Sequence, residues 1–307
     1  KYGQTYDLTT GMYDPNAADS RYISTTGATV SFGRQLSWPD DYFSLSTGIN
    51  YTRYTLKDYA IDPYNLPNFS NGIVNNFNFR IALQRTSIDQ PLFPRTGSTF
   101  LLSAQLTPPY SLFDKGFATK QNPYEYLEYH KWRFNGEWFV PLGKPSGEDH
   151  NKQFVLRFAA KYGFVGRYNT DLTISPFERF QLGDAGLSNQ FALLGYDIIA
   201  QRGYPVYETS NPKINPDQQT ARQHFTIFNK YAVELRYPLS LAASSTIYAL
   251  GFFEAANGWY SMKEYNPFNL RRSVGIGMRF YLPMFGLLGF DYGVGIDRIN
   301  GTNTLKD

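Results

Sequence analysis

Residues 225–237 read Phe-Thr-Ile-Phe-Asn-Lys-Tyr-Ala-Val-Glu-Leu-Arg-Tyr. Phe225, Ile227, Tyr231, Val233, Leu235 and Tyr237 fall on one side of a two-residue period, and Thr226, Lys230, Glu234 and Arg236 on the other. That period belongs to a β-strand. The pattern recurs. In 271–282, Val274, Ile276, Met278, Phe280 and Leu282 oppose Arg271, Ser273, Gly275, Gly277 and Arg279. In 153–164, Phe154, Leu156, Phe158, Tyr162 and Phe164 oppose Gln153, Arg157 and Lys161. In 131–140, Trp132, Phe134, Trp138 and Val140 oppose Lys131, Arg133, Asn135 and Glu137. A soluble sandwich would turn its polar face to water and its apolar face to a core. Charges on one face of strand after strand suit a wet lumen, with the apolar face in lipid. The expected fold is all-β: a transmembrane antiparallel β-barrel.

Working outward, about ten strands are expected, each near the roughly 9–11 residues of a tilted membrane-spanning strand. They are 21–34, 42–55, 73–86, 97–107, 126–140, 152–166, 225–238, 244–260, 270–282 and 286–297. Short turns fall at 35–41, 87–96, 141–151, 239–243 and 283–285. Longer polar or Pro-rich loops fall at 56–72, 108–125, 167–224 and 261–269. This alternation is the mark of outer-membrane barrels, with short turns periplasmic and long loops outside. By the same count both chain ends lie on the long-loop side, where such barrels do not normally start or finish. The chain 1–307 is therefore expected to be one barrel domain, incomplete at both ends.

Composition agrees. Of 307 residues 18% are aromatic and 18% charged, with 25 Tyr, 25 Phe, 26 Gly and no Cys. Tyr and Phe favour strands and form the interfacial girdles of membrane barrels. Mean hydropathy is −0.41, and no apolar run approaches the roughly 18 residues of a spanning helix. The net charge of +3 and the lack of a basic block argue against nucleic acid. No leader peptide is visible, so the sequence is expected to start within the mature protein. Catalysis is not expected. His130, His150 and His224 form no metal spacing, and no Ser lies in a G-x-S-x-G context. His150 lies in a polar turn with Glu148 and Asp149. Asp40-Asp41 reads as a turn pair. No cofactor is expected.

Several motifs carry a resemblance. Leu36-Ser37-Trp38-Pro39-Asp40-Asp41-Tyr42-Phe43 and Asp89-Gln90-Pro91-Leu92-Phe93-Pro94-Arg95-Thr96-Gly97 occupy short turns. Pro176-Phe177-Glu178-Arg179-Phe180-Gln181-Leu182-Gly183 opens the longest loop, and Gln201-Arg202-Gly203-Tyr204 lies further along it. Arg272-Ser273-Val274-Gly275-Ile276-Gly277 leads to Pro283-Met284 and Gly286-Leu287-Leu288. In this order they resemble the BamA family, the central subunit of the outer-membrane β-barrel assembly machinery, in the form typical of Bacteroidetes. The resemblance covers nearly the whole chain. It implies sixteen strands preceded by POTRA domains, of which the ten here would be the sixth to fifteenth.

It also implies that loop 167–224 folds into the lumen. Its tip motif, Gln201, Arg202, Gly203 and Tyr204, would meet acidic residues there, with Glu234 and Glu254 in the matching places. Arg suits such a pair because its planar fork binds carboxylates bidentately and stays charged. Gln201 departs from the family's small apolar residue, and Leu194-Gly195-Tyr196 offers an Arg-less alternative alignment. Arg157, Lys161, Arg279 and Asp291 are expected to face the lumen. Phe154, Leu156, Phe158, Val274, Ile276, Met278, Leu288, Phe290 and Tyr292 are expected to face lipid. Taken singly, Glu234, Glu254, Arg157 and Arg236 are each better read as plain lumen-lining charges than as partners of the loop.

The function implied is insertion of β-barrel proteins into the outer membrane. Unfolded barrel clients, accessory assembly-machinery lipoproteins and outer-membrane lipid would be the partners. A two-partner secretion translocator, or the related translocation and assembly module, is an alternative. A passive porin-like channel is another, and needs no Arg-Gly tip.

Overall fold

The computed structural model describes residues 2–3, 22–57, 71–114, 116–117, 122, 124–146, 152–172, 174–184, 197–204, 225–242, 245–284 and 286–297. Glu148, Asp149, His150, His224 and Leu194-Gly195-Tyr196 lie outside them. The long strands are β2 (Tyr22–Gln35), β3 (Phe43–Lys57), β4 (Gly72–Thr86), β5 (Gly97–Leu106), β6 (His130–Ser146) and β7 (Lys152–Gly166). After the longest loop follow β10 (Ile227–Ala242), β11 (Ser245–Trp259), β12 (Arg271–Leu282) and β13 (Gly286–Gly295). These ten are the strands expected from the alternation. All pair antiparallel with their chain neighbours, β7 with β10 across the loop, and a short β1 (Tyr2–Gly3) joins β2. The sheet is not closed: among the described residues nothing pairs with the outer edge of β13.

The alternation sorts the side chains as a barrel wall requires. Phe154, Phe158, Val274, Ile276, Met278, Leu288, Phe290 and Tyr292 are exposed, Ile276 at 68% and Tyr292 at 72%. Leu156 shares their face and is half-buried. On the opposite face Lys131, Glu234, Glu254 and Ser273 are buried. No helix among the described residues is long and apolar enough to cross a membrane.

Three boundaries differ from the sequence reading by more than two residues. β6 begins at His130 rather than 126 and runs on to Ser146. Pro141 stays within its ladder opposite Val155, and the register shifts only between Leu142 and Ser146. A bulge absorbs the irregularity that Pro and Gly introduce. β10 likewise continues to Ala242 through a shift between Pro238 and Ser240. Phe225, which the alternation placed on the outer face, is buried. Its backbone pairs with Phe180 of the loop, and its ring belongs to the inner cluster with Val165, Phe228 and Ala256. It precedes the ladder, so the two-residue rule no longer governs it.

Among the described residues, two apolar clusters lie inside the wall. One, at the loop end, gathers Tyr54, Leu56, Val74, Tyr129, Phe177, Phe180 and Leu182, with Phe177 stacked on Tyr54 at 4.7 Å between centroids. The other, at the turn end, gathers Phe93, Phe139, Val155, Tyr248, Leu250 and Phe252.

Candidate functional site: a loop locked inside the wall

The longest loop is built locally before it is held globally. A 3-10 turn at Pro176–Glu178 leads into β8 (Phe180–Leu182), which pairs in parallel with β9 (Asp197–Ile199). The sequence reading had no such pair. Phe180 exchanges both backbone hydrogen bonds with Phe225 at 2.8 Å, which fastens the start of the loop to the start of β10. The chain then turns at Gln201-Arg202-Gly203-Tyr204.

Arg202 is held by two strands at once. Its backbone N–H donates to Glu254 Oε2 at 3.0 Å, and its Nε and Nη2 donate to Glu254 Oε1 at 2.9 and 2.7 Å. Nη2 also donates to Glu234 Oε1 at 2.7 Å. The guanidinium lies 3.6 Å from the ring centroid of Phe252. Asp291 Oδ2 is 3.6 Å from Nη1. Breaking a buried pair from one side costs about 3–5 kcal/mol, because the remaining charge is left without its partner.

Both carboxylates are shared. Glu234 also accepts from Arg236 Nε and Nη2 at 2.9 and 2.6 Å, and lies 3.2 Å from Arg157 Nη1. Glu254 Oε1 is 2.9 Å from Lys230 Nζ, and Lys230 also donates to the carbonyl of Ala200 in the loop. Arg157 is anchored behind by Glu137 through Nε and Nη2 at 3.1 and 2.6 Å. Arg279 and Asp291 form a bidentate pair at 2.8 and 2.7 Å. Lys161, Lys230, Arg279, Asp291 and Asp184 help to line a cavity of about 380 Å³ around the lock.

The tip's other residues explain how the backbone gets so close. Gly203 has φ +84°, the left-handed region that favours glycine. A Cβ there would lie 2.9 Å from the backbone of Val294 and Gly295, and one on Gly295 would lie 2.8 Å from the Gly203 carbonyl oxygen. The tip therefore docks backbone to backbone on β13. Tyr204 is buried; its hydroxyl donates to the Arg272 carbonyl at 2.9 Å and accepts from the Asp297 N–H at 2.8 Å. Gln201, the departure from the family pattern, is also buried and donates to the Arg271 carbonyl at 2.8 Å. A small apolar residue there could not make that bond.

A second clamp was missed from the sequence. Lys131 of β6 is 3.0 Å from Asp197 and 3.5 Å from Glu178, both in the loop, and Arg133 pairs with Asp197 as well. Asn76 of β4 donates to Glu178 Oε1 at 2.6 Å. Lys131 and Arg133 were legible as inward charges, and Glu178 stands inside a quoted motif. What the sequence lacked was any signal pairing them across this separation.

A family model described as Omp85 superfamily domain matches residues 2–306. No curated protein sequence matches the chain. Among solved structures, the chain is similar to the crystal structure of BamA from Haemophilus ducreyi lacking POTRA domains 1–3. The TM-score is 0.60 and the identity 17%, over 91% of this chain and 52% of that one. At this identity the likeness is one of fold, and the chain spans about half the length of the structure it matches.

Proposed function

Since the chain belongs to the Omp85 superfamily, we propose that it is the wall and inward loop of a BamA-type insertase. It is an outer-membrane β-barrel protein of that superfamily; folding and inserting other barrels is the finer reading. The observation that carries it is the Arg202 tip docked on Glu234 and Glu254 inside the wall. Such a lock holds a long loop in the lumen and stiffens the wall from within. A client can then add strands at an edge elsewhere in the barrel. Edge pairing and apolar burial in lipid drive that step without nucleotide. In this reading the chain has no catalytic step and no cofactor. Its partners are unfolded barrel clients, accessory lipoproteins and outer-membrane lipid, with the turn end periplasmic and the loop end outside.

A passive channel has less support, because a loop tied at two clamps occupies its lumen. The translocator reading shares the lock and is separated by experiment. Full-length protein carrying this barrel is reconstituted in liposomes and given a urea-denatured client barrel. The expected result is a heat-modifiable, protease-protected client, with severalfold less from Arg202→Ala. Passage of an exported polypeptide with no barrel folding would replace the insertase with the translocator.

A further inference from the structure

The turn 87–96 carries a motif that the lock does not use. Asp89 closes it: Oδ1 accepts the N–H of Arg95 and Thr96 at 2.8 and 3.1 Å, and Oδ2 accepts from Arg95 Nε at 3.2 Å. Gly97 completes the closure at φ +96°. The clasp leaves Phe93 at the tip, and Phe93 is only 1% exposed. It does not pack on its own strands alone. Its ring lies 5.1 Å from that of Tyr248 on β11. The sheet order from β5 runs through β6, β7 and β10 before β11. The turn thus reaches inward across the base of the curled sheet.

A receiving surface is built for it. Phe139, Val155, Tyr248, Leu250 and Phe252 are apolar inward positions on β6, β7 and β11. Nearby inward positions on the same strands are charged: Glu137, Arg157 and Glu254. The floor also touches the lock. Tyr248 and Phe139 each lie 5.6 Å from the Arg236 guanidinium, Arg236 holds Glu234 Oε2 at 2.6 Å, and Glu234 Oε1 holds Arg202 at 2.7 Å. Phe252 belongs to the floor and carries the Arg202 guanidinium on its ring.

We propose that the turn 87–96 is a plug that closes the turn end of the lumen, and that Phe93 is a positioning residue for the Arg202 lock through Tyr248 and Arg236. The barrel is then stoppered from both ends by different devices: an apolar plug on a short turn and a charged tip on a long loop. Contacts run from the plug to the lock, so displacing Phe93 loosens the tip, whereas the plug keeps its own seat on Phe139, Val155 and Tyr248 when the tip leaves. This rests on the barrel and not on the insertase reading.

These 307 residues hold no cysteine, and any elsewhere in the full-length protein is changed to Ser, so a single probe can be placed. Ala200 lines the cavity and is exposed to it. Full-length Ala200→Cys protein in oriented liposomes is treated with a membrane-impermeant thiol reagent from each side in turn. Labelling from the turn end should be slow with Phe93 in place. Phe93→Ala should raise it roughly tenfold or more, a step readable from rates alone, and should increase protease cleavage of the loop. Phe93→Tyr, which keeps the ring, should restore both. Arg202→Ala with Phe93 intact should speed labelling from the loop end only, which tests the plug even if Phe93→Ala does not insert. Turn-end labelling that is already fast with Phe93 present, or unchanged in Phe93→Ala, or faster from the turn end in Arg202→Ala, overturns the proposal.

Discussion

The Arg202 guanidinium lies over the ring of Phe252, its central carbon 3.6 Å from the ring centroid. The ring fixes the plane of the fork, so that its edge meets Glu254 while one amino group reaches Glu234. A cation over an aromatic face contributes about 0.5–2 kcal/mol, more as water is excluded. The stack also removes rotational freedom that the ion pairs would otherwise have to overcome.

Arg202→Lys should therefore not restore function. The ammonium keeps the charge but has no planar fork to stack and bridge. The outer-membrane level of a client barrel should fall nearly as far as in Arg202→Ala, with expression only modestly lower. Recovery to the unmutated level by Lys would show that charge alone suffices.

Glu254→Gln should give a defect similar to that of Arg202→Ala but weaker, since the amide still accepts a hydrogen bond. The double variant should fall well short of the sum of the two, because they share the Arg202–Glu254 contact; only the Lys230 pair of Glu254 is lost separately. A double-mutant cycle scored by client level measures this. Glu234→Gln should be more damaging than Glu254→Gln, as it weakens contacts to Arg157, Arg202 and Arg236 together. Additive defects at 202 and 254 would mean that the two do not act as a pair.

Gly295→Ala should undock the tip without touching any charge. Its Cβ would meet the Gly203 carbonyl oxygen and the Tyr204 ring, each at 2.8 Å. Limited proteolysis should cut the loop as readily as in Arg202→Ala. Gly251→Ala is the control, as a Cβ there has nothing within 4 Å, and it should leave the loop protected.

Ile276→Arg should destabilise the barrel by about 2–4 kcal/mol, the cost of a cation on the lipid face near mid-membrane. Urea unfolding in lipid vesicles measures it. Ile276 is mid-strand on β12 and 68% exposed on the outer face. A stability equal to that of the unmutated protein would place this position outside the bilayer's core.

The Asp89 clasp should fail in acid. Partial burial pushes the Asp89 carboxyl up, but the Arg95 and Thr96 amides and the Arg95 guanidinium outweigh it and hold it below its ordinary value. A carboxylate depressed on folding adds stability that is fully present above the unfolded pKa of about 4 and is lost as pH falls through the lower folded value. Protease protection of the turn should fall in that window, and in Asp89→Asn it should be lower at neutral pH and flatter with pH. Protection of the unmutated turn that does not change down to pH 2 would leave the clasp without a role.

The sequence by itself determined the wall. Period-two alternation is set by backbone geometry within a strand, so ten strands, their two faces and the alternating connections could be read one segment at a time. It also offered Arg202, Glu234 and Glu254 as the residues to bring together, but only by resemblance of motifs. Tertiary structure decided everything that depends on where distant segments meet. Phe225 left its expected face because it precedes the ladder and pairs with the loop. Lys131 found Asp197 and Glu178, and Phe93 reached Tyr248, because the sheet curls and brings β4, β6 and β11 around one interior. Glu234 takes Arg236 from its own strand and Arg157 from the strand beside it; only its third guanidinium, Arg202, is brought in by the loop. Alternation is a local consequence of the chain, whereas curvature and the partners it selects arise from all the ladders together.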